Sequence, residues 1–224
     1  MTNTLLSSDT QTSDRPFPLR MARYAVQQGR EPTSALASQL VILRAMGKTS
    51  QSLEELKGDW MALDYLHQPI GNLTLGGTLG LDAVLRKYGV ETESYNHFAD
   101  LGLEAPHTPD ALEWLVQRVE AQRGVIVQVE TDELPTLAAL YGDSDHWPDA
   151  GCALLVIGVM RDYRSGAVLS YLVIDPLLGA HIRNHGPITI PAPEFEAAWQ
   201  YRGCAAVATI DPARRSAAKA VPRG

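Results

Sequence analysis

The chain has 224 residues, 45% of them hydrophobic, and a formal net charge of −7. That is enough apolar material for one sizeable core, and the acidic balance argues against wholesale binding to nucleic acid or an anionic membrane. The two cysteines, Cys152 and Cys204, make no disulfide framework, and neither has a Cys or His partner at zinc-finger spacing. They read as buried thiols packing like small apolar side chains. No stretch approaches the ~18–20 apolar residues of a membrane span. The start MTNTLLSSDTQTSD lacks the basic end and apolar run of a secretory signal, so cytoplasmic residence is expected, or export by machinery that reads no such signal.

Residues 1–16 are rich in Ser, Thr and Asp and read as a flexible arm. In REPTSALASQLVILRAMG, Pro32, Thr33 and Ser34 hand over to a helix beginning at Ala35. Leu36, Leu40 and Leu43, with Ala37, Val41 and Ala45, recur there at helical spacing, the pattern of a buried amphipathic helix. KTSQSLEELKGDW supplies a cap at Ser50 or Ser52, Glu54 and Glu55 in the first turn, and a second short helix. GNLTLGGTLGLDAVLRKYG is a Gly-rich loop followed by a helix over 78–88, closed by Gly89. The loop lacks both a Gly-x-Gly-x-x-Gly register and a Lys-Ser/Thr pair, so it is a tight connection rather than a phosphate loop.

VETESYN alternates like an edge strand, and TPDALEWLVQRVEAQ is a helix with Pro109 near its start and Leu112, Leu115, Val116 and Val119 on one face. GVIVQVE, CALLVIGVM and LSYLVIDP then read as strands, with Ser165-Gly166 turning the chain between the last two. GPITIP, a short helix APEFEAAWQ and a strand AAVATI complete a domain over 17–210. A basic tail, 211–224, carries Arg214, Arg215, Lys219 and Arg223. Helices first and an antiparallel sheet after them make an α+β order.

These pieces, in this order, resemble the papain-like cysteine peptidase fold, closest to the double-glycine leader (bacteriocin-processing) peptidases. PTSALASQLVILRAMG is similar to the nucleophile helix, and LGGTLGLDAVLRKYGVETESY to the helix that opens the second half of the helical lobe. LVQRVEAQRGVIVQVE resembles the helix and strand leading to the catalytic histidine. GCALLVIGVMRDYRSGAVLSYLVIDPLLG resembles the histidine strand, hairpin and Asp-Pro segment, and ITIPAPEFEAAWQ the closing segment. The resemblance implies a helical lobe packed on an antiparallel-sheet lobe.

Chemistry of this class needs a thiolate nucleophile, a histidine to hold the proton, a carboxylate to orient it, and a Gln at the oxyanion. Carried over by position, the nucleophile falls on Ala35, where a methyl cannot attack a carbonyl. Cys152 stands in the place of the family histidine, and His146, six residues earlier, is the candidate base. Asp175 matches the orienting residue, and Gln28 (or Gln27) the oxyanion residue. The remaining histidines, His67, His97, His107, His181 and His185, read as solvated in loops or near turns. His181 with His185 lacks a third metal ligand.

The expected function is therefore a catalytically inactive peptidase-like protein that binds a peptide or protein segment in the old substrate cleft, with Trp147 and Tyr141 near it. No cofactor, metal, nucleic acid or membrane partner is expected. The alternative is an active peptidase, amidase or acyltransferase seen as a Cys-to-Ala variant at Ala35, with His146 as base.

Overall fold

Eight consecutive residues, Leu36–Leu43, are buried in the helix Ser34–Ala45. The helix is buried nearly all round rather than on one amphipathic face, and such a helix belongs in the middle of a fold. A computed structural model describes residues 16–28, 33–58, 78–95, 109–142 and 152–214. In chain order they form α1 (Phe17–Ala22), α2 (Ser34–Ala45), α3 (residues 53–58), α4 (Thr78–Lys87), β1 (Thr92–Tyr95), α5 (Pro109–Glu120), β2 (Arg123–Val129) and α6 (Pro135–Tyr141). There follow β3 (Cys152–Arg161), β4 (Val168–Ile174), α7 (Gly179–His185), β5 (Ile188–Pro191), α8 (Ala192–Tyr201) and β6 (Ala206–Pro212).

The strands make one sheet in the order β1-β6-β2-β3-β4-β5, with every pairing antiparallel. This is the expected α+β architecture, and β1 lies on the edge that its short alternating sequence suggested. In the central strands Val125–Val127 and Leu154–Ile157 are fully buried without a break. Successive strand residues point to opposite faces, so the sheet is covered on both. Neighbouring residues of β4 show the two covers. Leu172 closes over Gly158 beside Pro18 of α1, while Tyr171 stacks on Phe195 of α8 with centroids 4.2 Å apart. Helix α2 packs on β2 and β3. A Cβ at Gly124 would come within 2.6 Å of Ile42 Cδ1, so the strand reaches the helix only because that residue has no side chain.

One buried amide ties the helices together. Gln39 Nε2 donates to Gly80 O at 2.9 Å, and Gln39 Oε1 accepts from the N–H groups of Val84 (3.0 Å) and Leu85 (3.2 Å). Gly80 O and Val84 N–H are the two ends of one i→i−4 bond in a regular helix, so the side chain is wedged into the ladder of α4.

Local signals hold at several ends. Ser52 and Glu55 form a reciprocal capping box, with Ser52 N–H to Glu55 Oε2 at 2.6 Å and Glu55 N–H to Ser52 Oγ at 3.2 Å. Gly89 closes α4 at φ +68°, and Gly166 turns the β3–β4 connection at φ +74°. Asp162 Oδ1 accepts from the N–H groups of Arg164 (2.9 Å) and Ser165 (2.7 Å) in the same turn.

Some elements differ from the sequence reading. His181 and His185 are exposed as expected but lie on α7, His185 at its end beside Gly186, and α1 and α6 are short helices that the periodicity did not single out. Strand β6 runs two residues past 210, and Ala213 is buried with its N–H on Gln122 O at 2.9 Å. The amino-terminal arm to residue 15, the Gly-rich loop before α4, His67, His97, His107, His146, Trp147 and residues 215–224 lie outside the described residues.

Helix α7 starts against another segment's backbone. A Cβ at Gly179 would collide with the Val26 carbonyl and come within 2.6 Å of Gln27 N, whereas a Cβ at Gly58 would meet nothing within 4 Å. Backbone cannot move aside as a side-chain tip can, so overpacking of this kind costs about 1–3 kcal/mol. In urea unfolding, Gly179→Ala is expected to lose stability in that range and Gly58→Ala to stay within about 0.5 kcal/mol of the parent or gain. Equal effects would contradict the packing described.

Candidate active site

Two serines one turn apart dock the start of α2 on the start of β3. Ser34 Oγ accepts from Ala153 N–H at 3.0 Å, and Ser38 Oγ donates to Ala153 O at 3.3 Å. Ala35 follows Ser34 and is partly exposed, in contrast to the buried run that begins at Leu36. Cys152, the neighbour of Ala153, opens β3 opposite Val129 and is 4% exposed.

Register brings the third position to the same end of the sheet. Leu155 pairs with Ile174; three residues back along β3 is Cys152, and one residue on along β4 is Asp175. Asp175 is fully buried. Its Oδ1 accepts from Leu177 N–H at 2.8 Å, capping the 3-10 turn Pro176–Leu178, and its other oxygen accepts from the Tyr141 hydroxyl.

The Gln pair is seated on that turn. Gln28 N–H donates to Pro176 O at 2.8 Å, Gln27 Nε2 donates to Leu177 O at 2.6 Å, and Ala180 N–H donates to Gln27 Oε1 at 2.9 Å. Gln27's amide thus braces Leu177 and Ala180, and Gln28 is the buried member of the pair. Ala35, Cys152, Asp175 and Gln28 therefore all border one end of the β3–β4 pair. His146 lies outside the described residues, and among those described no histidine bonds Asp175.

Tyr141 is the residue that sequence reasoning placed near the site without giving it this partner. It ends α6, and the other end of α6 is held from α8, where Glu194 accepts from Thr136 N–H and Oγ1, both at 2.7 Å. A hydroxyl 34 residues from its carboxylate leaves no periodic trace in a sequence.

Electrostatics follow from burial. Loss of water pushes the Asp175 carboxyl up to about 6, against the opposing effect of the Tyr141 and Leu177 hydrogen bonds. Burial also pushes the Cys152 thiol well above its ordinary range, and the charges of Asp175 and Glu130 act in the same direction. Arg202, paired with Glu130 at 2.7 Å, works against them. The Tyr141 hydroxyl is raised as well, by burial and then by Asp175. Burial and these charges together favour the protonated form of the enclosed Cys152 thiol. Among the described residues no group of three or more His, Cys, Asp or Glu could hold a metal ion, and no helix is long and apolar enough to cross a membrane.

A carboxyl raised in the folded state binds its proton more tightly there than in the unfolded chain. Its contribution is most favourable at low pH, declines as pH rises from 3.8 to about 6, and is flat above. The full shift corresponds to roughly 3 kcal/mol. Asp175→Asn removes the titration, so its stability relative to the parent is expected to rise by at least 1 kcal/mol, and at most roughly 3, between pH 4 and pH 7 in urea unfolding. A relative stability that is flat, or that falls over that range, would contradict the buried-carboxylate description.

No family model matches the sequence, and no curated protein matches it. The structure is similar to a crystal structure of a Bacillus anthracis protein whose name places it among the C39-like peptidases. The TM-score is 0.50 at 15% identity, over 83% of this chain and 93% of that one. The chain has the α+β fold of the C39-like, papain-like peptidases.

Proposed function

We propose that this chain is a non-catalytic member of that fold, and that it holds a peptide or protein segment where a peptidase would hold its substrate. The observation that carries the reading is the composition of the catalytic line: a methyl at Ala35, an enclosed thiol at Cys152, and a carboxylate at Asp175 already engaged by Tyr141 and Leu177 N–H. Covalent catalysis needs a nucleophile with a lone pair and a base within hydrogen-bond reach of it. Neither Ala35 nor Cys152 supplies these. A single engineered change at Ala35 would not account for Cys152 in the histidine's place, whereas loss of both partners fits a cleft kept for binding.

Extended peptides bind such clefts through backbone hydrogen bonds along a strand edge, with pockets for side chains. Thr33 and the first turn of α2, partly exposed at Ser34 and Ala35, would flank a peptide held in this way. Leader-like peptides and exposed protein tails are the ligand class, read by chain shape rather than by a reacting carbonyl.

Ala35→Cys provides the test, titrated with iodoacetamide against pH in a Cys152→Ser, Cys204→Ser background. The introduced thiol is expected to label with an apparent pKa at or above that of a free cysteine, ~8.5. A pKa well below that value, lost on replacing His146, would mean an intact catalytic apparatus and would overturn the proposal. Binding is checked by fluorescence polarisation of labelled leader-type peptides. The parent chain is expected to bind without cleaving, and Ala35→Trp to abolish binding by filling the first turn's surface. Binding unaffected by that substitution would place the peptide elsewhere.

A further inference from the structure

Helix α7 carries two histidines, His181 and His185, four residues apart and both exposed. Residues at i and i+4 lie one above the other on the same helix face, and the two imidazole centroids are 4.5 Å apart with planes inclined at 37°. Two imidazoles on one helical face are a recognised chelating arrangement. Among the described residues no third His, Cys, Asp or Glu joins them, so any cation held there completes its shell with water.

The spacing also bears on which cation the pair would suit. A metal bound at about 2.0–2.1 Å from a ring nitrogen lies about 3.2 Å from that ring's centroid. With both rings turned to present a nitrogen to one metal, two centroids held 4.5 Å apart would subtend an angle of about 90° there. A tetrahedral site needs a wider angle and would set the centroids about 5.2 Å apart. A right angle is the cis arrangement of tetragonal or octahedral coordination, the preference of Cu2+ and Ni2+ on nitrogen and oxygen donors.

We propose that His181 and His185 form a bidentate site for a divalent transition cation of this preference, Cu2+ or Ni2+, on the exposed face of α7. The site is separate from the catalytic line and does not depend on how that line is read. It lies on the helix whose start braces the Gln27–Gln28 loop, through Ala180 N–H on Gln27 Oε1 at 2.9 Å. A cation bridging the two imidazoles joins successive turns of a seven-residue helix, and binding to the folded form alone raises its stability.

The experiment is calorimetric titration of the full, untagged chain with Ni2+, beside His181→Ala, His185→Ala and the double variant. One equivalent is expected to bind the parent and raise its melting temperature. Each single substitution is expected to weaken binding by on the order of 10²-fold, because the second imidazole acts as an intramolecular ligand at high effective concentration. Both residues are exposed, so the variants are expected to fold as the parent does, checked by circular dichroism. Absence of binding to the parent, or an equivalent that persists unchanged in the double variant, would overturn the proposal.

Discussion

A single buried carboxylate organises one end of this molecule. Asp175 has no contact with water, and an anion so placed is tolerated only if its lone pairs are used. The Tyr141 hydroxyl takes one oxygen and Leu177 N–H the other. The first of these bonds fixes the end of α6. The second shapes the turn on which Gln27 and Gln28 rest. Through that turn α7 is set against Val26 and Gln27, at the glycine that the close approach demands. The constraint therefore runs from one side chain to two helices and a loop, and it remains although Ala35 supplies no nucleophile.

That view separates two roles which one residue often fills together. In a working peptidase of this fold the resemblance gives the carboxylate at Asp175 to a histidine; here, among the described residues, it serves a tyrosine. Cys152 is compatible with the same economy. A small side chain fits an enclosed position opposite Val129 of β2, and burial favours its protonated form. The serines of α2 meanwhile hold the helix start against Ala153, so the seat of that helix on β3 does not depend on the side chain at position 35.

Much of this was legible in the sequence. The long apolar runs CALLVIGVM and GVIVQVE are adjacent central strands, because residues buried on both faces need no alternation. Ser52 with Glu55, Gly89 and the Ser165-Gly166 turn were readable because their partners lie within a few residues. The position of Asp175 followed from its place after a strand and before proline. Tyr141 was not legible as its partner, since their bond links residues that only the fold brings together. Helices α6 and α7 escaped notice for a related reason. Each has seven residues, too few for a periodic pattern, and each is fixed by distant groups, α6 by Glu194 and α7 by Gln27. The wedge of Gln39 in α4 is likewise a long-range contact; a buried amide in a mostly apolar helix marks such a site without naming the other half.

On the function proposed here, position 152 is the base's position and its present side chain leaves the catalytic line silent. Rebuilding the line tests this most directly. The alkylation rate of the thiol introduced by Ala35→Cys is measured against pH in two backgrounds, one keeping Cys152 blocked as serine and one carrying Cys152→His. The histidine background is expected to lower the thiol's apparent pKa well below ~8.5 and to speed its labelling near neutral pH, while the serine background does neither. Identical profiles in the two backgrounds would contradict it, because residue 152 would then not face the start of α2 as the base of this fold must.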